Sequence, residues 1–220
     1  MHATPAPIDE RVSALLSKMS LTDKANQLVS AHAADPTTIY GIVDYEDVTN
    51  TCNNNITCRI LTRNEFQRVQ MNVSSNPFNI PVSFRIESLH SSGPGGTIFP
   101  SPILLGSTWN KTLMYKIGEI IGYEARMFGI DLGYSPVLQI LTDPRFGRYT
   151  ESYGGDPYLV SILGYYMSLG LNGNTKNMSD YIDENHISNE AKHFICYARG
   201  GKDGLPCDIS ERTLREVYLR

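Results

Sequence analysis

No stretch of about 18 consecutive apolar residues occurs, so nothing in the sequence has the length of a membrane-spanning helix, and a membrane partner is not expected. Lys and Arg are never gathered into a run, and 19 basic residues stand against 23 acidic ones for a formal net charge of -4. A basic face for a phosphate backbone is missing, which excludes nucleic acid as an expected partner. Cys52, Cys58, Cys196 and Cys207 lack CxxC spacing, and His2, His32, His90, His186 and His193 form no HExxH pair, so no metal site is expected. Neither GxGxxG nor GxxxxGK[ST] follows a strand pattern, which removes the usual nucleotide-binding sheets. The start, MHATPAPIDERV, has neither the basic region nor the apolar core of a signal peptide.

What is present is an ordinary globular composition: 220 residues, 41% hydrophobic and 19% charged, with 18 Gly and 12 Pro spread along the chain. Such a chain buries a substantial core. Asn-X-Ser/Thr sequons at Asn55, Asn72, Asn110 and Asn177 favour the secretory route. The cysteines leave two readings open: local disulfides, Cys52 with Cys58 and Cys196 with Cys207, in an oxidising compartment, or four thiols.

Val12, Leu15, Leu16 and Met19 recur at helical spacing after Asp9, and Ser20 with Asp23 forms a capping box that restarts a helix through Ala25, Leu28 and Val29. Both helices read as core-facing. Residues 31 to 60 are polar and aperiodic and read as a surface excursion. Beyond them, apolar runs of β type alternate with helical patterns. IPVSFRIES (80 to 88) reads as a strand. Thr112 to Phe128 follows as a helix with Ile117, Ile120, Ile121, Ala125 and Phe128 on one face, then IDLGYSPVLQIL as a strand. Asp156 caps a helix with Pro157 at its first position, running through Leu171. EAKHFICYA (190 to 198) reads as another strand, and Ser210 caps a final helix that meets the chain end with no C-cap residue, as in a truncated chain. The grammar is that of an α/β parallel sheet, either a closed (β/α)8 barrel or a doubly wound sheet.

Polar clusters fall where strands should end: Glu87 with His90, the loop DPRFGRYTES, the pair Lys192 and His193, and the GGKDG loop near residue 200. Barrel enzymes assemble their sites at such C-terminal strand ends. Ser179, Asp180 and Tyr181 also spell an apparent acid motif, but they follow a polar stretch and read as loop.

The blocks IPVSFRIESLHSSGPGGTIFPSPILLGSTWN, ARMFGIDLGYSPVLQILTDPRFGRYTESYGGDPYLV, AKHFICYARGGKDG and ISERTLREVYL stand in the order, and have the form, of glycoside hydrolase family 3. The resemblance begins at RVSALLSKMSLTDKANQL and covers nearly the whole chain. It implies that residues 1 to 220 are the N-terminal part of the family's barrel domain, an incomplete (β/α)8 TIM-type barrel of about its first two-thirds. It also implies that Glu87, Arg148, Lys192 and His193 hold the sugar in the bond-cleavage subsite. A carboxylate accepts hydrogen bonds from vicinal hydroxyls, while Arg and Lys donate charge-assisted ones and help keep a nearby nucleophile ionised. The family's nucleophilic Asp and acid/base Glu come later, so neither catalytic residue is expected in this chain, and both are expected beyond Arg220.

By this resemblance the intact protein is a retaining exo-β-glucosidase acting on a β-glucoside or oligosaccharide. No cofactor is implied, and the oligomeric state is left open. The expected location is secreted or lysosomal/vacuolar. A β-xylosidase or arabinofuranosidase is the nearest alternative. An N-acetylhexosaminidase is disfavoured because the family's KHFPGHG is here KHFICYARG, and an inactive fragment that only binds sugar is the reading from another class. Several positions depart from the family: Gln139 and Leu141 replace charged residues before DPR, Phe146 a Trp, Gly155 an acid, and Arg85 a small residue.

Overall fold

The computed structural model describes residues 7–28, 30–31, 42–44, 78, 80–81, 83–93, 95–173, 182–197 and 208–219. Two short helices open it, α1 (Ile8–Leu16) and α2 (Leu21–Asn26). Ser20 and Asp23 close the expected capping box: the Ser20 hydroxyl accepts the Asp23 N–H, and the Asp23 carboxylate accepts the Ser20 N–H. The core-facing expectation is not met among the described residues. Val12 and Leu16 are 48% and 44% exposed, and only Met19, after α1, is buried. Periodicity shows which stripe of a helix is apolar, not whether a neighbour covers it.

Five parallel strands follow among the described residues: β1 (Ser30–Ala31), β2 (Ile42–Asp44), β3 (Ser83–Ile86), β4 (Leu132–Gly133) and β5 (Ser188–Asn189). They lie side by side in chain order without reversal. A doubly wound sheet reverses its strand order at a switch point, so this sheet is singly wound over the described strands. Two sequence expectations are corrected here. β2 lies inside the stretch read as a surface excursion, since three residues are too few to display a period. The strand expected at 190 to 198 is instead β5 at Ser188–Asn189, with an isolated bridge between Lys192 and Val137 and a turn over 194–197.

Outside the sheet stand α3 (Pro102–Gly106), α4 (Lys111–Met127) and α5 (Pro157–Leu171). Each longer helix has a side-chain N-cap: Asn110 Oδ1 accepts the Leu113 N–H at 3.0 Å, and Asp156 Oδ1 accepts the Leu159 N–H at 2.7 Å. Asp156 and Pro157 thus start α5 as expected, and it runs to Leu171. On α4 the buried stripe is Met114, Ile117, Gly118, Ile121, Gly122 and Ala125, while Ile120 and Phe128, expected on the same face, are exposed. The reason is a seam of glycines. A Cβ on Gly122 would lie 2.5 Å from the Leu171 carbonyl oxygen, and one on Gly170 would lie 2.3 Å from that of Tyr115. The backbones of α4 and α5 therefore approach more closely than side-chain packing allows, and the apolar stripe rotates onto the seam. Met114, Ile121, Leu163, Met167 and Leu171 fill the core with Phe84 and Ile86 of β3. The final helix, α6 (Glu211–Thr213), continues as a π-helical turn over Leu214–Tyr218, and Ser210 caps it as expected.

Candidate functional site at the ends of the strands

Along β3, Phe84 and Ile86 turn into the core, so the alternate residues, Ser83 and Arg85, face the opposite side of the sheet. Glu87 continues that second face directly after the strand. Its carboxylate accepts two hydrogen bonds from Lys192 Nζ, each 2.6 Å, across 105 positions of sequence. Lys192 is held from behind by its backbone. Its N–H donates to the Pro136 carbonyl at 3.0 Å, and its own carbonyl accepts the Leu138 N–H at 2.7 Å. The side chains of Lys192 and Glu87 are 14% and 32% exposed, so the pair is sheltered without being sealed. The Tyr134 ring lies 5.3 Å from Lys192 Nζ and 4.2 Å from the Arg85 guanidinium, which places a second cation on the same face.

His193 is seated on Gln139, which is buried. The Gln139 Oε1 accepts the His193 backbone N–H at 3.3 Å, and both ends of the amide lie within hydrogen-bond reach of the ring, with Nε2 at 2.8 Å and Oε1 at 3.0 Å from Nδ1. Arg148, in the loop that follows the β4 segment, makes a two-pronged ion pair with Glu151, with Nε to Oε1 at 2.8 Å and Nη2 to Oε2 at 2.6 Å. The Glu151 hydrogen bonds raise the Arg148 pKa further above its ordinary value; burial opposes them, and a hydrogen bond with Tyr197 adds to them. Asp143 of the same loop is pushed down to about 2 by the side-chain and backbone hydrogen bonds from Arg145.

The four residues singled out in the sequence thus fall into two contacts on one rim. Glu87 meets Lys192 directly. Arg148 and His193 meet through Tyr197, whose ring lies 5.6 Å from the Arg148 guanidinium and 4.6 Å from the His193 ring. Arg148 is paired with Glu151, not with Glu87. His90, grouped with Glu87 from sequence, turns instead to the Phe99 carbonyl, 2.8 Å from its Nδ1. Glu151, Gln139 and Tyr197 were not singled out as partners, although Glu151 at three positions past Arg148 and Tyr197 at four past His193 carried a spacing signal. Cys196 is buried and disulfide-bonded. Cys52, Cys58 and Cys207, the GGKDG loop, Ser179, Asp180, Tyr181, and the sequons at Asn55, Asn72 and Asn177 lie outside the described residues.

An acid, an imidazole and several cations are thus gathered past the C-terminal ends of parallel strands, a set of donors and acceptors chemically suited to polar groups. The sequence model described as "Glycosyl hydrolase family 3 N terminal domain" matches residues 20–220, and the chain belongs to that family. A β-xylosidase of Formosa agariphila is 44% identical over 56% of this chain and 17% of its own length. The periplasmic β-glucosidase of Salmonella typhimurium is 28% identical over 98% of this chain and 27% of its own. Among solved structures, a β-glucosidase involved in saponin metabolism from intestinal bacteria matches with a TM-score of 0.77 at 27% identity, over 98% of this chain and 27% of that one. The chain spans less than a third of the length of these curated relatives. Among the described residues, no helix is long and apolar enough to cross a membrane.

Proposed function

We propose that this chain is the sugar-holding part of a retaining exo-β-glycosidase, β-glucosidase-like, that releases terminal non-reducing β-D-glucosyl residues. The observation that carries the reading is the Glu87–Lys192 pair beside His193 and Arg148 at the strand ends. In this reading Glu87 accepts hydrogen bonds from two sugar hydroxyls, and Lys192 and Arg148 donate charge-assisted ones. The same cations favour the ionised form of the nucleophile. Residues 1 to 220 then form about the first two-thirds of a (β/α)8 barrel, a reading supported by the sequential parallel order. The attacking Asp and the acid/base Glu come from sequence following Arg220, with their carboxyl groups about 5 Å apart as double displacement requires. "Complete enzyme" below means this chain together with that sequence.

The β-xylosidase reading is kept for one reason: the Formosa agariphila protein of that name is 44% identical over more than half of this chain. The compartment is extracytoplasmic in this proposal, supported by the disulfide at Cys196, the periplasmic relative and the Asn110 sequon. At Asn110 only Oδ1 is engaged by the helix cap, so Nδ2 remains for a glycan. Turnover of p-nitrophenyl β-glucoside and β-xyloside by the complete enzyme tests the function. The glucoside is expected to have the larger kcat/KM, and a larger value for the xyloside would transfer the reading to the alternative. No turnover of either would refute both. The 220-residue chain alone is expected to turn over neither.

A further inference from the structure

We infer that Tyr197 is the positioning residue of this site, a single ring that sets the Arg148 guanidinium and the His193 imidazole relative to one another; this rests on the hydrolase reading above. The ring is fixed from one side by a small apolar cluster. Phe146 meets it edge-on at 5.5 Å, and Leu141 and Ile103 belong to the same cluster. Its chain neighbour Cys196 is buried and tied by a disulfide, which shortens the reach of the turn that presents it. From that seat the ring lies 4.6 Å from His193 at a 37° tilt and 5.6 Å from the Arg148 guanidinium. Arg148 and His193 come from loops after different strands, and among the described residues Tyr197 contacts both. Glu151 holds the Arg148 fork through two hydrogen bonds, so ion pair and ring together leave the guanidinium little freedom. An arginine that must donate two directed hydrogen bonds to a sugar loses affinity when such freedom returns.

The test is kinetic, in the complete enzyme on p-nitrophenyl β-glucoside. Tyr197→Leu removes the planar face. It should lower kcat/KM by roughly tenfold, the order expected for one partly sheltered cation–ring contact, chiefly through a higher KM. A purely structural loss would shrink the active fraction and lower kcat at constant KM. Tyr197→Phe keeps the ring but loses the hydroxyl's hydrogen bond to Arg148, so its kcat/KM should lie between that of the Leu variant and wild type. In a double-mutant cycle with Arg148→Ala, the Tyr197→Leu effect should shrink, because one of the ring's two targets is gone and only His193 remains. Wild-type kinetics in Tyr197→Leu, a Phe variant as poor as the Leu one, or additive effects in the cycle would each overturn the inference. Should Tyr197→Leu not fold, Tyr197→Met, which keeps apolar bulk against Phe146, is read in the same way. An inactive wild type sinks the hydrolase reading and this inference with it, whereas an active wild type with an indifferent Tyr197 sinks this inference alone.

Discussion

The layer formed by α4 and α5 and the rim past the ends of β3, β4 and β5 are built on opposite terms. In the layer, two continuous helices meet along glycines and bury Met114, Ile121, Met167 and Leu171, and almost every contact is apolar or backbone. On the rim, four side chains from three loops meet through charge and ring contacts, with Glu87 and Lys192 105 positions apart. The seam tolerates no added volume, because backbone atoms lie opposite Gly118, Gly122 and Gly170. The rim tolerates truncation of a side chain more easily in stability than in binding, since its groups are partly open to solvent. Stability and function should therefore separate by region.

The sharpest way to break that separation is to put volume into the seam. Gly122→Leu drives a side chain at the Leu171 carbonyl, where even a Cβ would sit at 2.5 Å. It should cost about 3 kcal/mol or more, or prevent folding, while leaving kcat per folded molecule unchanged. Urea unfolding with an active-site titration checks both. A smaller step is Asp156→Ala, which orphans the Leu159 N–H at the start of α5 and should cost about 1 kcal/mol, with Asp156→Asn close to wild type. Equal losses in both variants would mean that the cap is not what matters.

The smallest effect lies in the rim loop itself. Folding depresses the Asp143 pKa from its ordinary 3.8 to about 2, so its contribution is present above the ordinary value and is lost as pH falls through the depressed one. Between about pH 4 and 2, wild type should lose stability slightly faster than Asp143→Asn; because its partner Arg145 is 82% exposed, the difference is small. Parallel acid-unfolding curves for the two would remove the Arg145 clamp from the account.

Much of the layer was legible in the sequence. The spacing of Ile117, Ile121 and Ala125 and the pair Asp156 and Pro157 located α4 and α5 because helix period and caps are local properties. The rotation of the stripe away from Ile120 and Phe128 was not, since it depends on which glycines face a second backbone. The strands are hardest to read: β2, β4 and β5 have three residues or fewer, too short for a period, and β5 ends before the KHF block, whose apolar residues suggest a strand. On the rim, Glu87, Arg148, Lys192 and His193 were named from motif resemblance, which carries identity without geometry. The Glu87–Lys192 contact, the Gln139 seat of His193 and the bridging Tyr197 ring needed the fold, because each joins residues whose separation is set by the order of strands in the sheet.

The measurement that bears most directly on the central claim is kcat/KM of the complete enzyme carrying Lys192→Ala, read beside its thermal unfolding midpoint. If Lys192 and Glu87 hold the sugar, kcat/KM should fall roughly a hundredfold or more, the loss of a charged hydrogen bond in a sheltered site, while the folded protein persists. Wild-type kinetics in a folded Lys192→Ala enzyme would contradict the account, because the Glu87–Lys192 ion pair would then have no part in holding substrate.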